Sequence, residues 1–143
     1  MRLNKKRLLL IRELRNDARK SLSDMSRDTG IPVTTIFDNY NKLVDGRIIL
    51  RHSPMIDFKK LGFNFRSFLL LKAKDRDEIA DFLDSQMNVN SVFRISGYDY
   101  LVDCVFPGIR EFYDFTDALK SIGVSEVEVH DVIEQLKYEE FFS

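Results

Sequence analysis

The chain has 143 residues, of which 44% are hydrophobic and 31% charged, with only six Gly and three Pro. That is room for one ordinary domain or two small ones, and the composition excludes a disordered, collagen-like or low-complexity protein. No apolar run approaches the roughly 18 residues of a membrane span. The basic N-terminus also lacks the apolar stretch of a signal peptide. We therefore expect a cytoplasmic protein that does not associate with membranes.

The two halves of the chain carry opposite charge. Residues 1–60 contain 14 Lys and Arg against 7 Asp and Glu, whereas residues 61–143 contain 8 against 16. This asymmetry predicts a basic domain, 1–60, that contacts a polyanion, and an acidic domain, 61–143, with a different task. The alternative is that the two surfaces simply differ in charge for unrelated reasons.

Three helices are predicted in the basic half. The first runs from about Leu3 to Asn16. The second starts at the capping residue Ser21 and ends near Asp28, and Gly30 supplies a left-handed turn after it. The third spans Val33–Val44. Its apolar residues repeat at helical spacing: Val33, Ile36, Phe37, Tyr40, Leu43 and Val44.

Residues Arg47–Asp57 are predicted to form two short strands around a Ser-Pro turn. Three helices, the last two joined by a tight glycine turn, followed by a β-hairpin, give the layout of a winged helix-turn-helix. In that fold the third helix enters the major groove of double-stranded DNA. The sequence therefore predicts a DNA-binding domain in residues 1–60.

Seven residues are the predicted DNA contacts. Thr34 and Thr35 lie in the first turn of the third helix, where they can hold a phosphate or reach a base edge. Asn39 can pair with adenine through two hydrogen bonds. The exposed face is completed by Asn41 and Lys42, and two residues outside the helix, Lys6 and Arg51, are expected on phosphates.

Two other interpretations of this helix remain. In the simpler interpretation, the Thr and Asn side chains of this helix are ordinary solvated residues. Asp38 also argues against DNA, since phosphate repels a carboxylate unless it accepts from a cytosine amino group or pairs with Lys42. A regulator that acts through protein partners, with only non-specific DNA binding, is therefore an alternative.

The acidic half is predicted to contain strands and helices in the order βαββαβ, which is the ferredoxin-like arrangement. The predicted segments are strand 63–74, helix 75–86, strand 89–96, turn 97–98, strand 99–106, a helix opened by Pro107-Gly108, and strand 124–135. Both helices pack on one face of such a sheet. The strands carry apolar residues on both faces, so we expect a homodimer to cover the open face. The alternative is that the strands are merely irregular.

The residues resemble archaeal members of the leucine-responsive regulatory protein/AsnC group, the feast/famine regulators, over essentially the whole chain. No single motif is specific, but their order and spacing together are. The matching segments are 11–14, 16–19, 21–26, 29–36, 43–48, 57–62 and 96–102. The resemblance implies an α+β protein: a winged helix-turn-helix followed by a ferredoxin-like (RAM-type) domain.

The function implied by this resemblance is sequence-specific transcriptional regulation by a dimer, or by a tetramer or octamer. An amino acid or related small molecule would bind between C-terminal domains, near Ser96, Gly97, Tyr98 and Asp99. Gly97 allows close backbone approach there, and Asp99 can accept from an ammonium group. The alternative for these residues is a simple β-turn. No cofactor is expected.

An enzyme is the remaining alternative, because related two-domain proteins decarboxylate sirohaem. His52 and His130 have no partners at the spacing of a metal site or a catalytic triad. Cys104 lies among apolar residues of a predicted strand, which favours a packed thiol over a nucleophile. The sequence therefore predicts neither catalysis nor a metal site.

Overall fold

The protein was studied as a computed structural model, which describes residues 4–142. The chain forms two compact units. One contains the described residues up to Met55 together with the C-terminal segment from Leu136, and the other is Ile56–Gln135. No helix within residues 4–142 is long and apolar enough to cross a membrane.

The division differs from the expected domains 1–60 and 61–143 in two respects. It lies after Met55, and the C-terminal segment belongs to the first unit. The backbone carbonyl of Phe141 accepts a hydrogen bond from Arg15 Nε at 3.1 Å, and Glu139 lies 3.9 Å from the same guanidinium. These contacts to the first helix explain why the end of the chain groups with the first unit.

The first unit contains three helices: α1 (Lys5–Asn16), α2 (Leu22–Thr29) and α3 (Val33–Asp45). They enclose a small core of Leu10, Met25, Ile36 and Leu43. All three predicted helices are confirmed, although the predicted start at Leu3 lies outside the described residues.

Local signals in the sequence set the ends of these helices. Ser21 Oγ accepts from the backbone N–H of Asp24 at 3.0 Å, as the capping box predicts. Gly30 ends α2 in the left-handed conformation with φ 70°. Glycine adopts this conformation without steric cost, so the tight turn between α2 and α3 is confirmed.

The predicted β-hairpin over residues 47–57 is wrong, because no strand forms in this described segment. The backbone N–H groups of Ile48 and Ile49 donate to the carbonyl of Leu43 at 2.9 and 3.1 Å. They close the end of α3 and are unavailable to a strand partner. Arg47 also turns the chain through φ 52°, and Pro54 has no N–H to donate. The wing is therefore absent from the first unit.

The second unit has the predicted βαββαβ order. Its elements are β1 (Phe65–Ala73), α4 (Arg76–Ser85), β2 (Val89–Phe93), β3 (Tyr100–Phe106), α5 (Ile109–Ser121) and β4 (Val124–Asp131). The strands form one sheet in the order β2-β3-β1-β4, and all neighbouring strands are antiparallel. The α+β class and the ferredoxin-like arrangement are thus confirmed for this unit.

Alternate side chains of the central strands carry the core of this unit. Leu69 and Leu71 of β1, with Val102 and Cys104 of β3, are fully buried against α4 and α5. Burial raises the pKa of the Cys104 thiol to about 12, so it stays protonated and unreactive at neutral pH. The prediction of a packed thiol is confirmed.

All four strands are shorter than predicted, and β2 and β4 differ most. β4 ends at Asp131 instead of Gln135, although the backbone N–H of Val132 still donates to the carbonyl of Arg66 in β1 at 2.8 Å. β2 ends at Phe93 instead of Ser96. A six-residue connection, 94–99, therefore replaces the predicted two-residue turn between β2 and β3.

Candidate functional site

The first unit carries exposed cations that form no ion pair with the residues the structure describes. Residues 4–142 supply no ion pair to seven exposed basic side chains: Lys5, Lys6, Arg12, Arg19, Lys42, Arg47 and Arg51. Lys20 differs, since it binds Asp28 at 2.7 Å and also Glu13, and these hydrogen bonds raise its pKa. Arg27 is likewise paired with Asp24 at 2.7 Å. The seven unpaired cations can contact an external anion without breaking an internal pair.

The predicted contact residues on α3 differ in exposure. Thr34 and Lys42 are exposed, as is Asp38, whereas Thr35 and Asn41 are half-buried. Asp38 and Lys42 do not pair with each other or with any other described residue. Of the two ways in which Asp38 could be accommodated beside phosphate, the pairing with Lys42 is therefore absent from the described part of the chain.

Asn39 is held by contacts within the first unit. Its Oδ1 accepts from Arg7 Nε at 3.1 Å, and its Nδ2 donates to the carbonyl of Thr35 at 2.8 Å. A two-point contact with adenine needs both of these groups. Asn39 therefore already uses one lone pair of Oδ1 and one N–H of Nδ2 within the protein, which leaves one of each for an external partner.

Phe37 lies on the exposed side of α3, where the sequence pattern had grouped it with the apolar residues. Its side chain is 52% exposed, whereas Ile36 is 2% exposed and Leu43 is fully buried. The buried stripe of α3 runs through positions 36, 40 and 43, which have the spacing of one helical face. Phe37 is about 100° from that stripe. This angular offset was the available signal that Phe37 points outward.

The two histidines are hydrogen-bonded to neighbouring side chains. His52 Nε2 lies 3.1 Å from Tyr40 Oη, and the two rings are stacked. His130 Nε2 lies 2.7 Å from Glu128 Oε1. Residues 4–142 contain no cluster of three His, Cys, Asp or Glu side chains that could hold a metal ion.

The loop 94–99 contains the predicted effector residues. Ser96 and Gly97 are exposed, and Gly97 has φ 84°, which favours glycine. Asp99 is bound on both oxygens: Oδ2 accepts from the Ala73 N–H at 2.9 Å, and Oδ1 lies 2.7 Å from Arg76 Nε. The Ala73 hydrogen bond, followed by the Arg76 charge, lowers the pKa of Asp99. It is therefore a carboxylate at neutral pH.

A small open cavity of about 130 Å³ lies beside this loop. It is lined by Arg76, Arg94, Ile95, Tyr98 and Asp99. Two guanidinium groups and one carboxylate thus border the same space. Because Asp99 is already bound to Arg76 and to the Ala73 N–H, the cavity offers mainly its guanidinium groups, which suit the carboxylate of a small molecule.

The face of the sheet opposite the helices is mixed in character. Phe68 and Leu70 of β1 and Leu101 of β3 are half-buried there, and Phe93 of β2 is 51% exposed. No helix of the second unit covers this face, as the sequence predicted, since the buried core side chains of β1 and β3 point to the opposite side.

Polar residues of the same sheet face are bound to one another. Arg66 makes two hydrogen bonds to Asp103, at 2.8 and 2.7 Å, and Asn90 donates to Asp103 at 2.7 Å. On β4, Glu128 accepts from the Tyr98 hydroxyl and contacts His130. The face therefore carries apolar side chains between two networks of polar side chains.

Comparison with known proteins identifies the family of the chain. A family model described as the Lrp/AsnC ligand-binding domain matches residues 68–140, which is half of the chain. The chain belongs to the Lrp/AsnC family. The matched region contains most of the sheet and the whole of the loop with Ser96 to Asp99.

Relatives of the chain match over most of its length. The HTH-type transcriptional regulator FL11 of Pyrococcus horikoshii is 29% identical over 116 residues, covering 79% of this chain and 77% of FL11. The solved structure of Bacillus subtilis LrpC has a TM-score of 0.90 with 20% identity, covering 97% of this chain and all of LrpC. A Neisseria meningitidis transcriptional regulator solved with L-Met has a TM-score of 0.89 with 19% identity, covering 96% and 94%.

Membership of the Lrp/AsnC family decides between the enzyme and regulator interpretations. The relatives of the chain are transcriptional regulators, so the chain is not an enzyme. The alternative of a sirohaem decarboxylase is therefore excluded. The hydrogen bonds of His52 and His130 agree with the structural role predicted for them.

Proposed function

We propose that this chain is a dimeric transcriptional regulator that binds specific DNA sequences. The observation that carries the proposal is the group of exposed, unpaired cations on the three-helix unit of an Lrp/AsnC chain. In this proposal α2, the Gly30 turn and α3 act as a helix-turn-helix, with α3 in the major groove. The domain roles follow: the first unit binds DNA, and the second assembles the dimer and holds an effector.

Each predicted contact residue has a place in this proposal. Thr34 and Asn41 contact base edges or the neighbouring phosphates, and Lys42 contacts a phosphate. Lys6 and Arg51 contact DNA phosphates on either side of α3. Thr35 and Asn39 contribute by holding the Arg7 side chain in place, because Asn39 hydrogen-bonds both to the Thr35 carbonyl and to Arg7.

The dimer would form through the open face of the sheet. Phe68, Leu70 and Leu101 offer apolar area that a second copy can cover with the same residues across a two-fold axis. Leu70→Arg should then give monomers by analytical ultracentrifugation. Ile109→Arg is the matched control, since Ile109 is also exposed (51%) but lies on α5. Equal sedimentation of both variants and the wild type would exclude this face. Larger assemblies, tetramers or octamers, would appear as further species.

An amino acid or related small molecule is the proposed effector, bound near Ser96, Gly97, Tyr98 and Asp99. The two arginines at the adjacent cavity, Arg76 and Arg94, suit the carboxylate of such a ligand. Calorimetric titration with the twenty amino acids tests this. Binding that Arg94→Ala weakens supports the site, and no binding by any amino acid contradicts it.

Selection from random duplex DNA at moderate salt is the deciding experiment for the function. A pseudo-palindrome with half-sites about one helical turn apart is the expected result for a dimeric regulator. Recovery of unenriched DNA would instead support the second candidate, a regulator that acts through protein partners. Asp38 and the lack of Arg on α3 favour that candidate.

A further inference from the structure

We infer that α3 reads DNA through Phe37 and Asp38. Phe37 packs on the methyl group of a thymine, and Asp38 accepts a hydrogen bond from the amino group of an adjacent cytosine or adenine. This inference rests on the proposed function and names the kind of base sequence that the helix selects.

The exposed surface of α3 supplies the first argument. Phe37 is 52% exposed, and Asp38 is also exposed. Thr34 lies three and four positions before them, so the three side chains share one patch on the helix surface. The aromatic ring of Phe37 and the carboxylate of Asp38 have no bonded or stacked partner among residues 4–142. Phe37 belongs neither to the core formed by Ile36 and Leu43 nor to the partly buried apolar residues that pack against that core.

The position of this patch along α3 supplies the second argument. A recognition helix contacts base edges mainly through its N-terminal residues. Phe37 and Asp38 are the fifth and sixth residues of α3, whereas Lys42 lies in its last turn. The helix contains no arginine, which is the side chain that most often reads guanine. At these two positions the helix therefore offers an apolar ring and a carboxylate.

These two groups match features that only the major groove displays. The thymine methyl group is the apolar feature of the groove, and the amino groups of cytosine and adenine are its hydrogen-bond donors. A carboxylate can only accept, so Asp38 is satisfied opposite an amino group and unsatisfied opposite a carbonyl. A wrong sequence leaves it desolvated without a partner, and this penalty gives specificity.

Neighbouring cations make docking of a carboxylate feasible. Lys42 is exposed one turn beyond Asp38, and Arg7 Nε binds Asn39 on α3, which brings the basic start of α1 to this helix. These charges contact phosphate and offset the repulsion between phosphate and Asp38. Asp38 then costs affinity on every sequence and recovers it only where an amino group is present.

The test uses uracil, which lacks only the methyl group of thymine. A motif is first selected from random duplexes with the full wild-type chain. Each thymine of that motif is then replaced singly by uracil, and Kd is measured by fluorescence anisotropy for the wild type and for Phe37→Ala. Tyr113→Ala, which removes an equally exposed (59%) aromatic ring from α5, is the control. Circular dichroism checks that both variants fold.

The expected result is one thymine per half-site at which uracil weakens wild-type binding about fourfold, the value of one buried methyl group. The same loss is expected for Tyr113→Ala, and none for Phe37→Ala. Asp38→Ala should remove the preference for cytosine or adenine at the neighbouring position. The inference is overturned if uracil has no effect on Kd at any position. It is also overturned if uracil weakens binding by Phe37→Ala as much as binding by the wild type. In both cases the proposed function stands. If no motif is enriched, both are overturned.

Discussion

Arg7 and Asn39 join α1 to α3 through a hydrogen bond from Arg7 Nε to Asn39 Oδ1 at 3.1 Å. The two residues are 32 positions apart, so this bond links the basic first helix to the helix that we propose enters the groove. The other end of the amide donates to the carbonyl of Thr35. The side chain of Asn39 thus fixes the guanidinium of Arg7 against α3.

Replacing Asn39 tests whether it positions Arg7 or reads a base. Because both amide groups are bound within the protein, we expect Asn39→Ala to weaken binding to selected and random DNA by the same factor. The lost hydrogen bonds should also lower the free energy of unfolding by about 1 kcal/mol. Anisotropy titrations with both kinds of DNA, and urea denaturation, measure the two effects. A loss confined to one base position would show instead that Asn39 reads adenine.

The exposed cations predict how DNA binding depends on salt. Lys6→Ala and Arg51→Ala should each weaken binding to all sequences and lower the slope of log K against log salt by about 1, because each removes one phosphate contact. Lys120→Ala removes an exposed cation from α5 in the other unit and is the matched control. A slope that changes equally in all three variants would mean that only net charge matters.

Much of the fold was predictable because strong local signals agree with the final packing. The capping residue Ser21, the turn at Gly30 and the alternating strands all form as the sequence indicates. The ends of the strands were less predictable, since they depend on partners distant in sequence. β4 stops at Asp131, although the apolar alternation continues to Ile133 and the Val132 N–H still donates to the carbonyl of Arg66.

The predictions that failed concern residues for which two different interactions compete. Residues 47–57 contain β-branched and aliphatic residues typical of strands, yet Ile48 and Ile49 donate to Leu43 and close α3. Phe37 is apolar and has helical spacing, yet the core is already filled by the stripe through Ile36 and Leu43. The first competition is not visible in a local pattern, whereas the outward position of Phe37 is signalled only by its angular offset from the buried stripe. The contacts of the site residues with DNA or an effector remain predictions.

The ion pair between Arg66 and Asp103 should contribute more to stability than a comparable pair nearby. Its side chains are 20% and 5% exposed, whereas those of Lys72 and Glu126, on the same sheet face, are 46% and 49% exposed. Asp103→Ala leaves a largely buried guanidinium and should cost about 1–3 kcal/mol, while Glu126→Ala should cost about 0–1 kcal/mol. Urea denaturation of the two variants tests the ranking, which equal losses would contradict.

Tyr98 and Glu128 predict a specific response to acid. The Tyr98 hydroxyl donates to Glu128 Oε2, and His130 lies against Oε1, so the pKa of Glu128 is below its ordinary value of 4.5. The hydroxyl makes the largest contribution to this shift. Tyr98→Phe should therefore raise the pKa of Glu128 toward 4.5, which an NMR titration of the glutamate carboxyl carbons measures directly.

The sign of the effect on stability follows from the lowered pKa. The folded protein binds a proton at Glu128 less readily than the unfolded chain does, so this group stabilises the fold above pH 4.5. That stabilisation is lost as the pH falls from 4.5 through the lowered pKa of the folded state. Tyr98→Phe should lose less stability than the wild type across this acid window. Tyr113→Phe removes a hydroxyl from exposed α5 and should behave as the wild type does. An unchanged Glu128 titration in Tyr98→Phe would show that His130, and not the tyrosine, holds the carboxylate.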